Sequence, residues 1–223
     1  MTQSRDWKIE FSQKILKKAA KKWGRKLAVA WTGGKDSTVL LHLIKKTFGQ
    51  IPFEVYFGDT TQHFPELYQF KDELAKKWKL KMIIGQPQKS YQEVAGARKR
   101  CCHALKTEPL NKTIKKQGWQ ALLVGIRWDE QAARANEKYF SPRKNPTHIR
   151  VHPLLHWTEL DIWEYIKKYK VPVNPLYQKG FRSLGCQPCT QPQGGKIGDG
   201  QERAGRAQDK ERVMARLRAL GYF

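Results

Sequence analysis

Leu27-Ala28-Val29-Ala30-Trp31-Thr32-Gly33-Gly34-Lys35-Asp36-Ser37 is the stretch that decides how this 223-residue chain folds. Residues 27–31 form a short apolar run, the composition of a buried strand. Thr32 to Ser37 interrupt it with two glycines and open a periodic segment, 36–47, that reads as a helix. A strand that turns through glycines into a helix leaves the first helical N–H groups without intrahelical partners, pointing where an anion can accept from them. The glycines let backbone come close to phosphate oxygens, Lys35 adds a charge and Ser37 a hydroxyl. The Walker A pattern does not fit: no glycine stands five places before Gly34, and Asp36 follows Lys35 where Ser or Thr belongs. A glycine turn with no ligand is the plainer alternative.

Working outward, the residues around this stretch alternate. Residues 7–23 bring Trp7, Phe11, Ile15, Ala19 and Trp23 near one face at helical spacing, with lysines opposite, which predicts an amphipathic helix. A strand at 53–57 leads into Gly58-Asp59-Thr60-Thr61 and a helix around 65–78. A strand at 80–84, a basic loop with Cys101 and Cys102, a helix near 105–117 and a strand at 120–125 follow. This order implies an α/β fold: a parallel sheet with helices on both faces. Residues 127–148 read as a polar loop with room for a short helix, and 149–155 as an extended segment. Thr158 and Asp161 resemble a capping box for a helix at 159–169. Residues 190–205, rich in Gly, Pro and Gln, predict a mobile loop, and a last amphipathic helix is expected at about 208–220. The organisation is then an N-terminal helix (1–24), a nucleotide-binding domain (25–170) and a C-terminal segment (171–223). Ligands of open α/β sheets sit at the carboxyl ends of strands, where Thr32–Ser37 and Gly58–Thr61 both fall. Asp59 there either binds Mg²⁺ or a substrate group, or caps the next helix.

Lys and Arg number 43 against 20 Asp and Glu, a formal charge of +23. A solvated basic surface accounts for it, as does a polyanionic partner, DNA or RNA above all, or an acidic protein. No stretch approaches 18 apolar residues, so no membrane span is expected. Met1–Asp6 is polar and lacks the apolar region of a signal peptide, giving a cytoplasmic expectation. Four cysteines are few for a disulfide scaffold. Their arrangement, Cys101–Cys102 and Cys186-x-x-Cys189, points to a cofactor. A zinc site usually uses two Cys-x-x-Cys pairs, whereas adjacent cysteines suit the wider attachment points of an iron–sulfur cluster; buried free thiols are the remaining reading.

Thr32–Ser37 resembles the PP-loop, S/T-G-G-K-D-S, of the ATP pyrophosphatases. Asp59-Thr60 with Phe64 is similar to the D-T-x-x-x-F segment of sulfonucleotide reductases and of the small subunit of ATP sulfurylase. CCHALKTEPL (101–110) and LGCQPCTQP (184–192) closely resemble the [4Fe-4S] motifs of adenylyl-sulfate reductases, C-C-x-x-R/K-K-x-x-P-L and G-C-x-P-C-T; Leu105 departs from the pattern and Lys106 keeps it. The resemblance runs from about Lys26 to Cys189. GIRWDEQAARA (125–135), RVHPLLHWTELDIWEYI (150–166) and the tail from Glu202 to Phe223 look like the ATP sulfurylase small subunit.

The resemblance implies an adenine nucleotide alpha-hydrolase-like fold. It also implies an adenine nucleotide, ATP or adenylyl sulfate with Mg²⁺, held by Thr32, Gly33, Gly34, Lys35, Asp36, Ser37, Asp59, Arg127 and Arg134. Lys35, Ser37, Asp59 and Arg127 become the expected catalytic residues, and Cys101, Cys102, Cys186 and Cys189 the ligands of a [4Fe-4S] cluster. One family feature is missing. The reductases carry a further, nucleophilic cysteine in an E-C-G-L-H segment; at the place expected for it, this tail reads Glu202-Arg203-Ala204-Gly205-Arg206. That shifts the expectation to an ATP pyrophosphatase that activates an acceptor for sulfur incorporation, as in nucleic-acid thiolation and DNA phosphorothioation, with a sulfur-donor protein such as a cysteine desulfurase. The alternatives are an adenylyl-sulfate or phosphoadenylyl-sulfate reductase using a thiol from elsewhere, and a non-catalytic nucleotide- and nucleic-acid-binding subunit.

Overall fold

The computed structural model of the chain describes residues 3–96, 98–208 and 211; the terminal helix expected at about 208–220 lies almost wholly outside them. Six strands form one sheet: β1 (Leu27–Ala30), β2 (Glu54–Gly58), β3 (Lys81–Gly85), β4 (Ala121–Leu123), β5 (Phe140–Lys144) and β6 (Thr147–Val151). Their spatial order is β3-β2-β1-β4-β6-β5. Every pairing is parallel except β5 on β6. The chain therefore steps outward from β1 to β3, then returns to the other side of β1 with β4. The reversal opens a crevice at the carboxyl ends of β1 and β4, where an open sheet of this kind takes its ligand.

Alternation along the strands sorts side chains between two layers. Leu27, Val29, Val55, Leu123 and Val151 face a large core with α1 (Gln3–Trp23), α2 (Lys35–Phe48) and α7 (Glu159–Tyr169). Ala28, Tyr56 and Leu122 face the opposite way, onto Leu110 and Ile114 of α6 (Glu108–Gln117) and onto Trp119. The remaining helices are α3 (Pro65–Lys77) and two short ones, α4 (Tyr91–Val94) and α5 (Arg98–Cys102), the latter running into a π-helical turn at His103–Thr107. The capping box that opens α7 forms between Thr158 and Asp161. No helix among the described residues is long and apolar enough to cross a membrane.

Two expectations are corrected. The stretch 127–148 contains β5 as well as a short 3₁₀ turn at Ala132–Arg134. Its Pro142 and charged neighbours disguise a strand that works because it is an edge, hydrogen-bonded on one side only. In α1 the buried residues are Ser12, Ile15, Leu16 and Ala19, while Trp7 is 49% and Phe11 36% exposed. Residues at i+4 spacing drift around a helix of 3.6 residues per turn, so four such steps from Trp7 to Trp23 rotate by about 160°. No single face can hold all five. Ser12 anchors the buried side, accepting from Trp157 Nε1 (3.0 Å) and donating to the Pro153 carbonyl (2.8 Å).

One close approach shapes the crevice. A β-carbon on Gly125, just past β4, would lie 3.0 Å from the Asp36 carbonyl oxygen and 3.1 Å from Ser37 Cα. Glycine lets the end of β4 sit this close, whereas any side chain would push the first turn of α2 back by a few tenths of an ångström.

Candidate active site

The glycine turn between β1 and α2 builds itself from local hydrogen bonds. Ser37 Oγ donates to the Gly34 carbonyl (3.0 Å) and lies 3.1 Å from Thr32 Oγ1, while Thr38 Oγ1 also donates to the Gly34 carbonyl (2.9 Å). Gly33 takes a left-handed φ of +73°, and a β-carbon there would press on Leu67 at 3.1 Å. Tyr177, from a distant turn, accepts from the Lys35 backbone N–H at 2.8 Å. Thr32, Gly34, Lys35, Asp36 and Ser37 all line a cavity in the β1/β4 crevice.

The walls of that cavity differ in character. Ala30, Tyr56, Leu110, Leu122 and Val124 make an apolar floor, and Lys106, Arg134, Arg150, Arg203 and Arg206 supply cations around it. Arg150 is 2% exposed; burial first, then Arg143 nearby, pull its pKa down to about 9. Glu130 is the carboxylate between Arg134 and Arg203, contacting the Arg134 guanidinium closely and accepting from Arg203 at 2.9 Å. An apolar slot ringed by cations suits a flat heterocycle attached to an anionic chain.

Lys35, in the cavity wall, and Arg127, outside it, both have their charged groups engaged by protein partners. The Lys35 ammonium, 1% exposed, donates to the Arg182 carbonyl (3.1 Å), lies 3.4 Å from Asp36 and contacts Glu202 closely. Arg127, 0% exposed, donates to Asp36 (2.6 Å), to Asp129 (2.6 Å) and closely to Glu202. Burial would lower the Lys35 pKa, but Asp36, Tyr177 and Glu202 raise it overall. Burial would raise Asp36, but Arg127 and Lys35 hold it down at about 2. Burial pushes the Glu202 carboxyl up to about 7, against the pull of Lys35 and Arg127. Glu202 thus clips the tail to the glycine turn, and its neighbours Arg203 and Arg206 reach the cavity from there. The segment 190–205, expected to be a mobile loop, is irregular up to this point, but Glu202 within it and Arg206 just after it are buried.

Asp59 is occupied locally. Its Oδ1 accepts from the Thr61 N–H (2.8 Å) and the Tyr68 hydroxyl (2.7 Å), which holds Thr61 at a positive φ of 59°. It stabilises the turn before α3, while its neighbours Gly58 and Thr60 line the cavity.

The four cysteines, separated by as many as 88 positions, come together. Cys101, Cys102, Cys186 and Cys189 are all buried and line one small hollow with Tyr91, Leu105 and Lys106. Burial first, then the three neighbouring thiols, push the Cys101 thiol up to about 11. Thr60 Oγ1 lies 3.4 Å from Cys186 Sγ, and the Gln187 N–H donates to the Gln62 carbonyl at 2.7 Å, so the Cys-x-x-Cys turn is fastened to the loop after β2. Lys106 belongs to the walls of both the hollow and the cavity.

Of the residues expected from sequence, Thr32, Gly34, Lys35, Asp36 and Ser37 of the glycine turn line the cavity with Arg134, and the four cysteines line the hollow. Sequence reasoning gave no role to Tyr177, Arg182, Glu202, Arg203, Arg206 or Arg150, although Arg203 and Arg206 stood in a quoted stretch. An acid beside two arginines at a spacing of three was the available signal.

Known proteins resemble this chain in sequence and fold. The model of the phosphoadenosine phosphosulfate reductase domain matches residues 26–192. Adenosine 5'-phosphosulfate reductase of Bacillus velezensis is 33% identical over 188 residues, covering 80% of this chain and 79% of that one. Sulfate adenylyltransferase subunit 2 of Aeromonas hydrophila is 34% identical over 222 residues, covering 85% and 72%. The crystal structure of phosphoadenylyl-sulfate reductase from Candida auris, a phosphate complex, superposes with a TM-score of 0.69 at 25% identity, over 81% of this chain and 90% of that one. With the glycine turn at a sheet reversal and the match spanning both cysteine segments, the chain belongs to the phosphoadenosine phosphosulfate reductase family of PP-loop enzymes.

Proposed function

We propose that the chain binds adenylyl sulfate in the β1/β4 cavity and reduces it to sulfite with a thiol supplied by another molecule. The observation that carries this reading is Lys106, the common wall between the cation-ringed cavity and the hollow of four thiols. A phosphosulfate lying along the cations would end beside that wall. The first-turn N–H groups of α2 and Ser37 receive the nucleotide's phosphate. Lys106, Arg134, Arg203 and Arg206 offset the charge that builds on the departing phosphate oxygen.

All four cysteines of the chain line the hollow, so the attacking thiolate belongs to a dithiol donor, a small molecule or a protein. It attacks the sulfate sulfur, and the S–O bond to phosphate breaks. AMP leaves with that electron pair and the donor keeps an S-sulfonate. The donor's second thiolate then attacks its own sulfonated sulfur, releasing sulfite and leaving a disulfide. The dithiol supplies both electrons.

The donor set of the hollow fits a [4Fe-4S] cluster. Four thiols surround one space, and two of them are adjacent in the chain, which suits the separated attachment points of a cluster better than the small tetrahedron of zinc. Cys101, Cys102, Cys186 and Cys189 would hold the cluster. When bound, it would supply an electrostatic and redox-tunable group beside Lys106.

A second reading is adenylylation of an acceptor by Mg·ATP with loss of pyrophosphate, before sulfur arrives from a donor protein. The lack of a fifth cysteine favours it, as does the likeness to sulfate adenylyltransferase subunit 2 over most of the chain. The test is anaerobic incubation of the iron- and sulfide-reconstituted protein with adenylyl sulfate and a dithiol. Equal amounts of sulfite and AMP are expected. Pyrophosphate from Mg·ATP without sulfite from adenylyl sulfate would replace this reading with the second. Nucleotide binding with neither product would leave a binding subunit.

A further inference from the structure

The outer face of α1 plays no part in the site described above. Trp7, Phe11, Lys14, Lys18 and Lys22 follow one another at spacings of four, three, four and four, so they form one stripe along the helix. All five are exposed. The two rings of the stripe continue across the surface into a larger aromatic array. His156 stacks on Trp7 with centroids 5.3 Å apart and meets Phe11 edge-on at 5.1 Å. Tyr139 touches both Phe11 (5.3 Å) and His156 (5.8 Å), and Trp128 lies 5.5 Å beyond Tyr139. Trp7, Phe11 and Trp128 remain 49%, 36% and 37% exposed, and their ring contacts join them into one contiguous patch, the kind that marks an interaction site.

The charges on the same helix say what covers these rings. Among the described residues, Lys14, Lys18, Lys21 and Lys22 form no ion pair; Lys18 and Lys22 lie over the rings of Phe140 and Trp23 instead. The helix has two acids, Asp6 and Glu10, and Asp6 is paired with Lys168 at 3.2 Å. A second copy of this chain would set these lysines against their own likeness, within a molecule already at +23. A partner that offers flat rings and regularly spaced negative charge fits both halves of the stripe.

We propose that the outer face of α1, with Tyr139, His156 and Trp128, is a docking surface for single-stranded nucleic acid: bases stack on the rings and phosphates meet the lysines. Aromatic platforms beside a basic track bind single strands in this way with little regard to sequence. The surface is separate from the nucleotide cavity, so this inference stands or falls independently of the reaction.

The test is fluorescence anisotropy of the full chain with labelled oligothymidylate and oligouridylate across a salt titration. Both oligomers are expected to bind, with log affinity falling against log salt at a slope of about −3, from about −0.7 per phosphate neutralised by the four lysines. Trp7→Ala with Phe11→Ala, both at exposed positions, lowers affinity about ten-fold or more at fixed salt and leaves the slope unchanged. Reversing Lys14, Lys18, Lys21 and Lys22 to Glu abolishes binding at moderate salt. No binding at low salt overturns the proposal. So does binding that ignores both sets of substitutions, which would place the strand elsewhere. A wild-type dimer by sedimentation that Trp7→Ala with Phe11→Ala turns into monomer also overturns it, because the face would then join two copies or an equivalent protein surface.

Discussion

Asp36→Asn removes a negative charge from the point where Arg127 (2.6 Å) and Lys35 (3.4 Å) converge at the head of α2. The side chain is 15% exposed and Arg127 is fully buried, so solvent screens the interaction little. Two routes give its size. Lowering a carboxyl from 3.8 to about 2 on folding stabilises the native state by about 2 kcal/mol at neutral pH. Breaking a buried ion pair from one side costs roughly 3–5 kcal/mol, and here Glu202 and Asp129 stay to receive Arg127, which places the loss near the lower figure. A loss of about 2–3 kcal/mol lowers the melting temperature of a chain this size by roughly 4–12 °C. The pH dependence has a definite sign. The folded pKa lies below the unfolded one, so the contribution is complete above about pH 4 and disappears as pH falls towards 2. Thermal unfolding of wild type and Asp36→Asn between neutral and acid pH reads both quantities, and the two curves should converge at the acid end. A variant within about 0.5 kcal/mol of wild type at neutral pH, the scatter of an ordinary surface change, or a gap that persists undiminished at the acid end, would refute the network as described.

Gly125→Ala pushes a β-carbon against the backbone of Asp36 and Ser37. It should cost about 1–3 kcal/mol of stability and weaken nucleotide binding by displacing the glycine turn; a variant with wild-type nucleotide affinity by calorimetry would show that the turn does not feel β4. Lys106→Met should weaken adenylyl sulfate about ten-fold or more, the worth of one charge-assisted hydrogen bond, and unchanged affinity would remove Lys106 from the ligand's reach. Cys186→Ser should abolish the visible absorbance and iron content acquired on anaerobic reconstitution, whereas full iron loading in the variant would end the four-thiol assignment.

The parts of the fold that could be read in the sequence were those encoded by neighbours in the chain. Thr32–Ser37 is contiguous, and its glycines, lysine and serine each have a local reason to be there. The capping box of Thr158 and Asp161 is likewise a four-residue device. The site's supports were hidden because they come from far away: Glu202 stands 167 positions from Lys35, and Tyr177 stands 142. An acid in a Gly- and Gln-rich tail reads as solvated until the fold shows two buried cations around it. Lys35 and Arg127 illustrate the converse. Their residue types suit an anion, but both meet carboxylates in the structure, and Lys106, Arg134, Arg150, Arg203 and Arg206 add cations to the cavity wall. Strand β5 was missed because Pro142 is a poor strand residue everywhere except an edge.

Lys106, as a wall shared by two compartments, makes them thermodynamically reciprocal. Any change of charge among the four thiols, by deprotonation, metal loading or electron uptake, alters the potential at an ammonium that also faces the nucleotide cavity. Whatever factor that change imposes on nucleotide affinity, nucleotide binding must return to the proton, metal or electron affinity of the thiols. The occupancy of one compartment can therefore be measured from the other: a titration of the cysteine hollow with the cavity filled and empty should differ by the same ratio that separates the two nucleotide affinities.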